Sequence, residues 1–224
     1  MEGGGYLINI PGVPPYVTYS WLAMGILILM AILVRASVKL VPSGFQNFIE
    51  IVIDAIYNLC EETIGEHWTA TFFPLIGTLG IYILLCNYMG LIPGFDSPTS
   101  NINTTASCAI PVFLATHYYG VKVHGFKYIN HFLGPMRSIF ALPLMIMMFF
   151  IELIGHLVRP VTLSVRLFGN MMAKHILLAV LAVLTPIGIP VLVLGLGVIV
   201  GLVQAFVFVL LSIMYLAGAV EEAH

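Results

Sequence analysis

Residues 159–175 read RPVTLSVRLFGNMMAKH, and Arg166 stands near the middle of the stretch with Leu, Val and Phe on both sides. The stretch lies inside an apolar run that extends from Ile139 to Thr185. A guanidinium does not shed its proton in a protein. At the centre of a membrane span it costs roughly 2.5–3.5 kcal/mol on insertion scales. Such a charge needs a counter-charge or a water-filled path, so the reading turns on what Arg166 pairs with.

The rest of the chain fixes the solvent. Its 224 residues are 60% hydrophobic and 8% charged, with a mean hydropathy of +1.07. Soluble domains carry about 25% charged residues. The composition therefore predicts an all-α polytopic membrane protein forming a single membrane domain over residues 1–224. The net charge of −2 and the lack of any basic run argue against a nucleic-acid partner. Cys60, Cys86 and Cys108 form no CxxC pair and are expected as free, buried thiols.

Working outward toward the N-terminus, residues 1–15 contain no Lys or Arg and so lack the basic start of a signal peptide. Tyr16, Tyr19 and Trp21 open an apolar run that ends at Arg35 and Lys39. Aromatic residues at one interface and cations at the other predict a first span over 16–36 with its N-terminus outside. Residues 43–66 differ in kind. Phe45, Phe48, Ile49, Val52, Ile56, Leu59 and Cys60 recur at intervals of three and four, while Asn47, Glu50, Asp54, Asn58 and Glu61 fill the other side. This is the pattern of an amphipathic surface helix. Lipid-binding helices offer Lys and Arg to anionic headgroups, so an acidic face suits a protein neighbour better, or plain solvent.

A span is expected over 72–92, followed by a turn-rich loop, LIPGFDSPTSN, that holds Asp96 and no cation. The next span, 104–121, runs back to Lys122, Lys127 and Arg137, which places the loop carrying them inside. The sequon Asn103-Thr104-Thr105 reads more simply as the N-cap of that span. His117, His124 and His131 fall seven apart, but glycines interrupt the segment and no carboxylate lies near to support a metal.

Two apolar stretches remain, 139–185 and 187–220. As helices they would be about 70 and 50 Å long, against a hydrocarbon core of about 30 Å. A break at Arg159-Pro160 would split the first into two spans, but no polar linker is available there. Two long tilted helices fit better, joined at Pro186-Ile187-Gly188, with Pro160 kinking the first one and not ending it. The expected architecture is five spanning helices plus one amphipathic surface helix, the last two spans long and tilted, with the C-terminus inside.

On the first long helix Arg159 lies about 20° from Arg166 in helical projection, and Glu152 and Asn170 about 40° from it. Glu152 is about 21 Å from Arg166 along the axis and cannot neutralise it. No other acid lies at membrane depth, His175 points to the opposite side, and Gln204 on the last helix is neutral. The counter-charge for Arg166 is therefore expected from another chain.

The run PVTLSVRLFGNM, with NYMGLIPG, PTSNINTT and LVQAFVFVLLSIMYLAGAVEE, resembles subunit a (subunit 6) of the F-type ATP synthase over nearly the whole chain. The resemblance implies a proton-translocating stator subunit, not an enzyme on its own and without a cofactor. It would sit beside a ring of c subunits, with the peripheral stalk subunit b and other ATP synthase subunits as partners; the N-terminal composition suggests no organelle targeting, so a bacterial inner membrane is expected. It implies that Arg166 faces the ring carboxylates, and that Asn170 and Gln204 lie near that arginine. Glu152 would mark the cytoplasmic half-channel, and His175 the outer one. Many relatives carry Glu at the His175 position and a companion His on the last helix, where this chain has Gly197. Each of these polar residues also has a plain use: Glu152 as an interfacial carboxylate, and His175, Asn170 and Gln204 as interhelical hydrogen-bonding groups. A secondary ion transporter would also keep charges at mid-membrane, but it should show repeated halves, which this sequence lacks. An intramembrane hydrolase would need a nucleophile or a paired-Asp constellation, and Asp54 and Asp96 fall on the surface helix and in a loop.

Overall fold

Backbone polar groups in hydrocarbon must be satisfied within the segment, which favours helices. The computed structural model describes residues 10–36, 44–92, 94–125, 142–184 and 188–220, and every regular element among them is helical. In chain order these are α1 (Pro15–Ala36), α2 (Phe45–Ile64), α3 (Glu66–Met89), α4 (Ile102–His124), α5 (Leu142–Leu184) and α6 (Gly188–Val220), with a 3-10 turn at Pro98–Ser100 ahead of α4. Among the described residues four helices are long and apolar enough to cross a membrane: α1, α3, Ile146–Leu181 of α5 and Val191–Val220 of α6. The fourth helix, α4, has the length, 23 residues, but carries more polar side chains. Thr104, Thr105 and Thr116 of that helix are buried against its neighbours.

The surface helix and the next span meet without a loop. Gly65, with φ 87°, occupies the left-handed region that costs a side-chain-bearing residue most, and α3 starts directly after it. The span thus begins at Glu66, ahead of the expected Phe72. His67 and Trp68 fall ahead of the expected span. In the fold Trp68 stacks on Phe72 at 5.7 Å and meets Tyr119 of α4 at 6.0 Å between ring centroids, which holds the first turns of α3 in the bundle. The amphipathic helix does not simply lie on lipid. Its Ile56, Leu59 and Cys60 pack with Phe72 and Ile76 of α3 and with Val209, Ile213 and Leu216 of α6. Asp54, Asn58 and Glu61 remain exposed on the other side.

At the opposite end of the bundle α1 is tied to the loop after α3. The Tyr19 hydroxyl donates to the Gly94 carbonyl at 3.1 Å, and its ring lies 5.4 Å from Phe95. Tyr19 is fully buried while Trp21 is 54% exposed, so Tyr19 serves packing and not an interfacial belt. The N-cap of α4 is Asn101, whose side chain accepts from the Asn103 backbone N–H at 2.9 Å. The cap therefore precedes the sequon, which lies within the helix.

The α5 helix runs for 43 residues straight through Pro160. Pro160 has no amide hydrogen to give to the His156 carbonyl; one turn further on, the Ser164 hydroxyl donates to the Pro160 carbonyl at 2.8 Å. At about 1.5 Å per residue α5 is about 65 Å long and α6 about 50 Å. Residues 185–187, where the join between them was expected, lie outside the described residues, as do residues 126–141, among them Lys127, His131 and Arg137. The core forms where four helices meet: Ile83 of α3, Cys108 and Val112 of α4, Leu163 and Leu167 of α5, and Phe208 of α6. A Cβ on Gly80 would stand 2.5 Å from the Val209 side chain, so this glycine sets the close approach of α3 to α6. All three cysteines are free and buried.

Candidate functional site

Three groups of polar side chains lie along α5, and each expected site residue belongs to one of them. In the middle, Arg166 is exposed on the outer side of α5. Among the described residues no carboxylate pairs with it; the Glu152 carboxylate lies instead beside His156. One turn further on, Asn170 donates to the Gln204 side-chain carbonyl at 2.5 Å. Asn170 is exposed and Gln204 buried, so the bond links the open face of α5 to the interior of α6. Thr162, Gly169 and Ala173 share the exposed side with Arg166, and a Cβ on Gly169 would meet nothing within 4 Å.

Toward the start of α5, Glu152 is not isolated. Its carboxylate lies 3.2 Å from His156 Nε2, one turn away, and the His156 ring stands edge-on to His117 of α4 at 5.4 Å. Arg159, one turn on, does not join Arg166 on the open face; its guanidinium covers the Tyr215 ring of α6 at 5.3 Å. His156 was missed in the sequence, although an i, i+4 histidine after a carboxylate inside an apolar run was a usable signal.

Toward the end of α5, His175 turns away from Arg166 and faces the loop after α3. Its Nε2 is buried with no hydrogen-bond partner among the described residues. A Cβ on Gly90 would lie 3.2 Å from that nitrogen and 2.6 Å from Ser97. Asp96, next to Ser97, feels the charge of His175. Burial raises the Asp96 carboxyl above its ordinary value, with His175 and the Ser100 hydroxyl pulling it back. Behind this loop Asn87 donates to the Gly201 carbonyl at 3.1 Å and accepts from Thr99 at 2.9 Å, and Ser97 and Thr99 share a hydrogen bond at 2.7 Å.

The same region accounts for Lys174 and Gly197. Lys174 is buried, its ammonium 3.5 Å from the Asn87 carbonyl. A Cβ on Gly197 would stand 2.7 Å from Leu91 and 3.3 Å from the Lys174 stem. The lysine fills the space a larger residue at 197 would need. Asn87, Thr99 and Asp96 escaped the sequence reading because their convergence on α5 is set by the return of a loop, which no spacing rule reports.

The arrangement defines a class: a helical membrane protein that presents, on the open side of a long helix, an arginine with no carboxylate of the described residues against it, and titratable groups toward both ends of that helix. A family profile described as ATP synthase A chain matches residues 17–217. The chain is 50% identical over 208 residues to the ATP synthase subunit a of Trichlorobacter lovleyi, covering 93% of this chain and 88% of that one. The corresponding figures for ATP synthase subunit a of Geobacter sulfurreducens are 48%, 93% and 88%, and for ATP synthase subunit a 3 of Pelobacter propionicus 50%, 93% and 88%. The chain belongs to the ATP synthase A chain family.

Proposed function

We propose that this chain is the proton-translocating stator subunit of the membrane sector of an F-type ATP synthase, working beside a rotating ring of c subunits and making no ATP itself. Family membership and the names of the relatives support the complex. The observation that carries the mechanism is Arg166: exposed on α5, in apolar surroundings, with no carboxylate of the described chain against it. In this reading α4 is a fifth span, the chain lies in a bacterial inner membrane with its N-terminus outside and C-terminus inside, and the acidic side of α2 takes the peripheral stalk subunit b.

A proton taken up outside passes the Asp96 loop and His175, an imidazole being suited to shuttling near neutral pH. It reaches a ring carboxylate past Asn170 and Gln204 and neutralises it. A neutral carboxyl can turn into lipid, whereas a carboxylate cannot without a cost of several kcal/mol, roughly. When the ring brings a protonated site round to Arg166, the adjacent permanent cation favours the ionised form, and the proton leaves past Glu152. The guanidinium also repels protons and so separates the two half-channels. One charge moved through 100 mV is worth about 2.3 kcal/mol, which gives the rotation its direction.

The test is Arg166→Ala in the intact complex in membrane vesicles. Proton-driven ATP synthesis should vanish while the complex still assembles. Normal synthesis by the assembled variant contradicts the reading.

A further inference from the structure

The contact between α4 and α5 is built mainly on Cys108, Ala109 and Val112 against Leu163 and Leu167. A small cleft there has a largely apolar wall of Ala109, Val112, Phe113, Pro160 and Leu163, to which Thr116, His117, His156, Arg159 and Tyr215 add polar groups, and it has room for about one water molecule. Ionisable side chains at such depth cost free energy and add nothing to packing that Leu would not supply. His156 is buried and reaches Glu152 on its own helix at 3.2 Å. His117 comes from a different helix, its ring 5.4 Å from that of His156. The His117 Nδ1 lies 2.9 Å from the Phe113 carbonyl. A carbonyl only accepts, so Nδ1 carries the hydrogen and Nε2 is the basic nitrogen of the neutral ring. Among the described residues, the polar groups facing the pair are Glu152 and Arg159 from α5, Tyr215 from α6 and Thr116 from α4.

We infer that His156 and His117 form a two-imidazole relay that carries the exiting proton from Glu152 into the α4–α5 contact and on toward the inner end of α4. This rests on the reading of α5 as the proton-path helix. The steps move one proton and no electrons. The Glu152 carboxyl gives its proton to His156 Nε2 and returns to carboxylate. His156 releases its Nδ1 proton to the cleft water, which passes a proton to His117 Nε2. His117 loses that proton to water beyond the cleft and is again the neutral Nδ1–H form, while His156 is left as the neutral Nε2–H tautomer, whose ring must turn before it takes the next proton from Glu152. The exit then runs through the bundle interior, away from the face that carries Arg166, which keeps the exiting proton clear of the ring.

The experiment uses intact ATP synthase in membrane vesicles and measures proton flux through the membrane sector and proton-driven ATP synthesis in His156→Gln, His117→Gln, the double variant, His156→Ala and Arg166→Ala. Glutamine keeps a hydrogen-bonding amide but cannot carry a proton. The inference expects each single variant to slow flux at least about tenfold, on the low side of general acid–base contributions. The double variant should be no slower than either single one, and added imidazole should restore flux to His156→Ala. Wild-type flux in either glutamine variant overturns the relay, as does slowing that imidazole leaves unchanged. Should Arg166→Ala keep wild-type synthesis, the parent reading fails, an outcome distinct from failure of the relay alone.

Discussion

The Asn170 amide donates to the Gln204 carbonyl across 2.5 Å, from an exposed position on α5 to a buried one on α6. The bond lies one turn from Arg166 and couples the two long helices at that level. Interhelical polar bonds in membranes are worth about 0.6 kcal/mol on average and up to about 2. Asn170→Ala and Gln204→Ala should each lower the thermal stability of the purified protein in lipid nanodiscs, with a coupling in that range when the two are combined. Strictly additive losses would mean that the bond contributes nothing to holding α5 on α6.

The close approach of α3 and α6 gives a second test. Gly80→Ala would force a methyl to within 2.5 Å of the Val209 side chain, and overpacking of this kind costs about 1–3 kcal/mol. Val209→Ala on the Gly80→Ala background should recover part of that loss. A neutral Gly80→Ala would show that the two helices can move apart freely.

The pattern of long apolar runs was enough to place the helices, and the reason is physical: in lipid the backbone leaves no alternative to helix over such lengths. Pro160 was readable for the same cause, since neighbouring groups can compensate one missing amide in a long helix. What could not be read were contacts that depend on chain return. Gly65 joins two helices directly, and nothing in the polar cluster at His67 reveals that Trp68 will stack on Phe72. The Asp96 loop reads as an ordinary surface turn until it folds back against His175. Arg159 shares the projected stripe of Arg166, yet Tyr215, supplied by another helix, draws its guanidinium inward. The separation of Arg166 from Glu152, about 21 Å along the axis, needed only the sequence, because distances along one helix follow from residue number.

Asp96 carries a pH signature. Burial raises its carboxyl above the ordinary value of 3.8. A carboxyl raised in the folded state contributes stability that is fully present below its unfolded pKa and is lost as pH rises through the folded one. Thermal unfolding followed upward from about pH 4 should therefore show a loss of stability in the native chain. Asp96→Asn should flatten that step. An unchanged profile in Asp96→Asn would remove Asp96 from the His175 pocket as an ionising group.

The central claim is that Arg166 takes its counter-charge from a neighbouring chain. Ala173, two turns along α5 on the same exposed side, accepts a cysteine conservatively, and the native thiols at Cys60, Cys86 and Cys108 are buried. In the assembled complex Ala173→Cys should form a disulfide with a cysteine placed beside the carboxylate of a ring subunit. Failure to crosslink to any ring position, with Arg166 instead found against an acid of its own chain, would contradict the account.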